Sequence, residues 1–209
     1  MKPYNPPRFW EKRGRTYPEK LENEDFMTAT AEHRRVIGEM LNEVPIKRFI
    51  DVGCGSGRLF DLYRPFPVVV GIDMSSSMLY HARKVGNSLK FEHLILLRGS
   101  ATNLPFKSKS FDCALTSEVL LHIPPLHILS ALRETSRISQ FTIYLEFYSS
   151  RYEDPEILKE ERRQLASWNF LHEYPRLFEQ VGSKLLKRIE LGTIPQTCFL
   201  VANESPGPQ

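Results

Sequence analysis

Three glycines, Gly53, Gly55 and Gly57, stand at G-x-G-x-G spacing inside FIDVGCGSGRLF (49–60). Glycines placed this way let the backbone turn tightly and let a ligand come close to its amides. A dinucleotide-binding loop needs G-x-G-x-x-G, where the third glycine permits close helix–strand packing. Here the third glycine comes one position early and is followed by Arg58 and Leu59. Asp51, two residues ahead of the first glycine, adds a carboxylate that repels a pyrophosphate but accepts hydrogen bonds from an ammonium group. The residues therefore favour a cationic ligand with an amino-acid end over a dinucleotide.

A loop of this kind works only between a strand and a helix, and the surrounding pattern supplies both. Short, nearly continuous apolar runs at 47–52, 67–73, 93–99, 111–117 and 141–147 read as strands buried on both faces, the mark of a parallel sheet. Helical periodicity falls between them, over 29–44 (with Val36, Ile37, Met40, Leu41 and Val44 on one stripe), 76–86 and 124–138. Strand alternating with helix predicts an α/β, doubly wound sheet. Beyond the fifth strand, 152–166 reads as a charged helix with Asp154 as N-cap and Pro155 first. A short helix at 175–182 follows. Two runs, 184–192 and 196–203, then predict an antiparallel hairpin at the sheet edge. The division is an N-terminal segment (1–28), one domain (29–203) with an insertion at 151–174, and a disordered tail (204–209).

Composition narrows the class. The 209 residues are 41% hydrophobic and 25% charged, ordinary values for a globular domain. No apolar run approaches the ~20 residues of a membrane span, and the basic N-terminus lacks the apolar stretch of a secretion signal, so a cytoplasmic location is expected. Cys54, Cys113 and Cys198 are scattered without C-x-x-C pairing, which predicts neither disulfides nor a metal site. A net charge of +3 falls short of a dedicated nucleic-acid binder.

FIDVGCGSGRL resembles motif I of the class I S-adenosylmethionine (SAM)-dependent methyltransferases, and further pieces arrive in that family's order. VVGIDMSSSML is similar to the second-strand motif. LLRGSATNLPFKSKSFDCALTSEVLLHIP is similar to the segment from the third strand to the helix after the fourth, most of all in the type 11 subfamily. The resemblance spans roughly 45–147. It implies a Rossmann-like sheet of seven strands, mostly parallel with the antiparallel hairpin at its C-terminal end, and SAM as cofactor with S-adenosylhomocysteine (SAH) as product. Asp73 would bind both ribose hydroxyls, and Met74 would pack on the adenine. The glycine loop with Cys54 would hold the methionyl end, with Ser117 of TSEV (116–119) nearby. Ser100 stands where the family usually has an acid that accepts from the adenine amino group, with Ala101 and Thr102 beside it. In relatives a segment like RFWEKRGRTYPEK (8–20) folds over the cofactor. Phe9, Trp10 and Tyr17 would then cover the sulfonium, unless the segment is merely amphipathic.

Catalytic candidates follow from position. His122, just beyond the fourth strand, is placed to orient or deprotonate an acceptor, or else serves as a cap. Glu118 faces either the methionyl end or the substrate. Tyr144, Glu146 and Tyr148 alternate along the fifth strand and so share a face. With Trp168, Phe170 and His172 they are expected to line an acceptor pocket, core packing being the alternative. NPPR (5–8) reads as a rigid, extended lead-in. The expected reaction is transfer of a methyl group to oxygen or nitrogen of a small molecule. The basic N-terminus (Lys2, Arg8, Lys12, Arg13, Arg15) leaves RNA or protein open as acceptor. A non-catalytic, SAM-binding partner subunit is the third reading.

Overall fold

The computed structural model describes residues 5–16, 24–165, 169–192 and 194–204. Tyr17, Trp168 and the tail beyond 204 lie outside the described residues.

Seven strands form one sheet in the order β3-β2-β1-β4-β5-β7-β6. The parallel members are β1 (Arg48–Val52), β2 (Val68–Asp73), β3 (Leu94–Arg98), β4 (Phe111–Ser117) and β5 (Ser139–Phe147). β7 (Gln196–Asn203) pairs antiparallel with both β5 and the edge strand β6 (Ser183–Glu190). Among the described residues the helices are α1 (Pro6–Arg15), α2 (Glu24–Leu41), α3 (Ser76–Ser88), α4 (Pro125–Ile138), α5 (Pro155–Gln164) and α6 (Tyr174–Gln180).

Alternation along the strands feeds two apolar layers. Phe49, Cys113, Leu115, Ile143 and Leu200 face the α2 and α3 side, where Val36, Ile37, Met40 and Ala82 close the layer. Ile50, Val52, Ile72 and Ala114, together with Tyr144, Phe199 and Val201, face the other side, closed by residues of α4 and α6. Helix starts follow the expected chemistry. The Ser75 hydroxyl accepts from the Met78 amide, and Asp154 accepts from the amides of Glu156 and Ile157 ahead of Pro155.

The N-terminal lead-in departs from expectation. Residues 6–15 are not extended; they form α1, with Asn5 Oδ1 accepting from the Arg8 amide at 3.1 Å. Pro6 and Pro7 occupy the first turn, where a helix has no use for the missing N–H and a fixed φ helps.

A second correction concerns β5. Tyr144, Glu146 and Tyr148 share a face as predicted, but that face turns into the protein. Tyr144 is fully buried, shares a 2.7 Å hydrogen bond with Thr135 Oγ1 and stacks on Phe178. Tyr148 packs edge-on against Phe199. Glu146, with no exposed surface, accepts from the amides of Val119, Leu120 and Leu121 and from the Thr116 hydroxyl. Burial pushes its carboxyl up to about 7, against these hydrogen bonds, which favour the charge. Glu146→Ala would orphan buried donors and lower stability by about 3 kcal/mol in denaturant unfolding; a loss under about 1 kcal/mol would mean the turn holds itself.

Candidate active site

The strand order reverses at β1, whose neighbours are β2 and β4. Ligands of open α/β sheets sit over the carboxyl ends of the strands at such a point. A cavity of about 480 Å³ opens there. Its walls follow the sheet order: Ser100, Ala101 and Thr102 after β3, Asp73 and Met74 at β2, Gly53, Cys54 and Gly55 after β1, and Ser117 and Glu118 at β4. α1 covers one side through Trp10 and Arg13, and His122 and His127 flank the mouth.

The glycine loop is shaped by close contacts. Gly53, Gly55 and Gly57 have φ of 80°, 54° and 83°, a region other residues enter at a cost. A Cβ on Gly53 would sit 2.4 Å from Val119 Cγ2, and one on Gly57 would strike the Phe60 ring at 2.6 Å. At Gly55 nothing lies within 4 Å, so a Cβ there would project into open space. Asp73 ties this loop to the next: Oδ2 accepts from the Gly55 amide at 2.9 Å and Oδ1 from the Ser75 amide at 2.8 Å. Burial raises its carboxyl pKa, against the pull of those amides.

Several expected site residues stand elsewhere. Asp51 does not line the cavity: strand alternation turns it to the α2 and α3 side, where the Tyr63 hydroxyl donates to it at 3.2 Å. Burial pushes its carboxyl up to about 7. Gly57 shapes the loop from behind. Tyr144, Glu146 and Tyr148 belong to the core, as described. His172 is also behind the wall, with Nε2 3.0 Å from the carbonyls of Leu120 and Ile123, and burial holds its imidazole at about 4. The Phe170 amide donates to the Leu121 carbonyl, so the 169–173 stretch braces the turn after β4. Ser100 Oγ is engaged locally, 2.9 Å from Thr102 Oγ1.

At the β4 end an ion pair faces the cavity. Arg58 Nη2 donates to Glu118 Oε2 at 2.7 Å and to Ser117 Oγ at 3.0 Å. Burial would raise the Glu118 carboxyl, but Arg58 carries it below the usual range. Glu118 has φ 58°, a conformation costing a non-glycine residue about 1 kcal/mol. The sequence reading passed over Arg58, whose signal was its place directly after the third glycine. The expected segment over the cavity is α1, with Trp10 in the lining, but the contacts that dock it on α3 were not legible. Glu11 accepts from the hydroxyl and amide of Ser77 and from the Ser75 hydroxyl, and His81 Nε2 lies 3.0 Å from the Gly14 carbonyl. Gly14 is needed for this approach, since its Cβ would lie 2.8 Å from that of Ser77. Trp10 then meets His122 edge-on, with ring centres 4.7 Å apart.

Comparison with known proteins agrees with this geometry. A family profile described as a methyltransferase domain, of type 11, matches residues 50–140. The O-methyltransferase rstn1 of Aspergillus nomiae is 30% identical over 198 residues, 90% of this chain and 85% of that one. The chain belongs to the type 11 class I SAM-dependent methyltransferases. This methyltransferase is also 32% identical over 110 residues to the tRNA (carboxymethyluridine(34)-5-O)-methyltransferase of Saccharomyces cerevisiae, covering 49% of the chain but 37% of that protein. The magnesium protoporphyrin IX methyltransferase of Synechocystis PCC 6803, solved with bound SAH, shares the fold. Its TM-score is 0.73 at 15% identity, over 96% of this chain and 100% of that one. Among the described residues, no helix of the methyltransferase is long and apolar enough to cross a membrane.

Close contact at Gly53 gives a direct test of the loop. Gly53→Ala should cost the methyltransferase about 2 kcal/mol, part steric and part from the positive φ. Adding Val119→Ala should recover the steric part, about half; no recovery in thermal or denaturant unfolding would show that Val119 does not set the loop.

Proposed function

We propose that this methyltransferase transfers the methyl group of SAM to an oxygen or nitrogen of a small molecule held between α1 and the β4 side of the cavity. The observation carrying this reading is the order of chemistry along one cavity. A carboxylate with one face in the cavity, Asp73, stands at β2, and the Arg58–Glu118 ion pair stands two strands away at β4. A ribose diol offers two donors to a carboxylate, and an amino acid's carboxylate and ammonium match a guanidinium and a second carboxylate. The open space at Gly55 supports the fit, because a side chain there would fill the cradle.

In this reading Asp73 holds the ribose, Met74 and Ala101 flank the adenine, and Arg58 with Glu118 holds the amino-acid end. The sulfonium supplies an electrophilic methyl group and its own leaving group, so the protein needs no nucleophile of its own. Trp10 offers an aromatic face to the cation and keeps water out. His122 orients the acceptor and takes the proton that it loses. The relative matched along most of its length is an O-methyltransferase, which favours oxygen as the acceptor atom. A second reading, RNA, is motivated by Arg8, Lys12 and Arg15, all exposed on α1 beside the mouth.

Asp73→Ala should weaken SAH binding about a hundredfold by calorimetry, the loss of two hydrogen bonds to a charged group. Unchanged affinity would remove Asp73 from the site. Methyl-labelled SAM incubated with the protein and a fractionated lysate tests the acceptor. Label in the low-molecular-weight fraction supports a small molecule. Label in RNA, with strong salt dependence, makes α1 the binding face and overturns the first reading.

A further inference from the structure

Behind the ion pair, away from the cavity wall, lie two residues that no motif contains. His33 of α2 is 2% exposed and Gln196 at the start of β7 is 5% exposed. Arg58 Nη1 lies 2.9 Å from His33 Nδ1, His33 Nε2 lies 2.5 Å from Gln196 Oε1, and Gln196 Nε2 donates to Glu118 Oε1 at 2.9 Å. Arg58 Nη2 to Glu118 Oε2 closes the ring. A guanidinium only donates, so His33 Nδ1 must be an acceptor, and the proton then sits on Nε2. The histidine in this ring is therefore neutral, and each of the four side chains has one assigned direction of donation.

We propose that His33 and Gln196 are positioning residues that aim the Arg58–Glu118 pair at the amino-acid end of the cofactor, and that protonation of His33 releases the pair. The proposal rests on the cofactor placement given above. A proton on Nδ1 sets two donors against each other at 2.9 Å and brings a second positive charge beside Arg58. It also draws Glu118 Oε2, 3.9 Å away, toward the imidazolium and out of its bond with Arg58. The charges facing His33 are Arg58 from the loop after β1, Glu118 from the end of β4 and Glu32 from its own helix; Gln196 from β7 is neutral. Burial lowers the His33 pKa and outweighs Glu118, so the neutral form prevails at neutral pH. Cofactor affinity is then flat near neutrality and falls as pH drops through that lowered pKa.

Linkage makes the effect readable without any substitution. If protonation weakens binding, bound SAH must depress the His33 pKa by the same factor. Titration of the His33 Cε1–H signal by NMR, with and without SAH, should show a further downward shift on binding. Equal pKa values with SAH bound would overturn the proposal. Two variants separate the bonds: His33→Asn keeps an acceptor for Arg58, and His33→Gln keeps a donor for Gln196. His33→Gln should bind SAH about tenfold more weakly at neutral pH. His33→Asn, which breaks only the bond to Gln196, should bind SAH about threefold more weakly than the parent, less affected than His33→Gln, while losing the imidazole-dependent part of the acid limb. An acid limb identical in all three proteins would also overturn the proposal. Absence of SAH binding to the parent protein would instead sink the cofactor placement, leaving the two failures distinct.

Discussion

A carboxylate sealed from water needs donors on both oxygens. At Glu146 these are the amides of Val119, Leu120 and Leu121 and the Thr116 hydroxyl. Those amides belong to the turn that leaves β4, so one side chain on the neighbouring strand fixes the path of the whole cavity wall on that side. With the turn held, Val119 fills the space that Gly53 leaves, and Glu118 is kept at its positive φ with its carboxylate on Arg58. His122 ends the same turn and reaches Trp10. His172 binds the turn's carbonyls from the other side, donating where Glu146 accepts. The wall is thus gripped from behind by two buried polar side chains that have no surface in the cavity.

That arrangement explains which parts of the protein the sequence made legible. Strands buried on both faces announce themselves through continuous apolar runs, as β1, β2, β4 and β5 do. β3, expected to be of that kind, is an edge strand only partly buried, as is β6, yet all seven were readable within a residue or two at most ends. The glycine loop was readable because three positive φ values in five residues demand glycine. Glu146 and His172 were not, because a polar residue, whether on a core strand like Glu146 or in a connecting stretch like His172, looks the same in sequence when it faces a ligand as when it faces the backbone of a neighbouring turn. Period-two alternation places Tyr144, Glu146 and Tyr148 on one face. It does not say which face is wet.

The start of the chain failed for a different reason. Two adjacent prolines suggest extended backbone when read alone, yet both are compatible with a helix's first turn, where no N–H is needed. What makes 6–15 a helix with a fixed place is tertiary: Glu11 caps the first turn of α3, and Gly14 lets the two helices touch. Short helices are marginal by themselves and gain their stability from docking. The information lay in Ser75 and Ser77, more than sixty residues away in sequence. Arg58 was hidden likewise, since its partners His33, Ser117 and Glu118 come from elements distant in the chain.

The two ends of the cavity differ in how much they invest in charge. At β3 the expected acid is absent, and Ser100 spends its hydroxyl on Thr102, closing its own turn. At β4 an ion pair sits in a ring of four side chains drawn from α2, the loop after β1, β4 and β7. Charge-assisted bonds held rigid in a partly buried site contribute more than neutral ones that water can replace. On the proposed placement, the adenine end is therefore read mainly by shape and the amino-acid end mainly by charge. On the same placement the acceptor would enter on the charged side, beside Glu118 and His122, so that the groups proposed to anchor the cofactor also set the electrostatic field in which the acceptor gives up its proton.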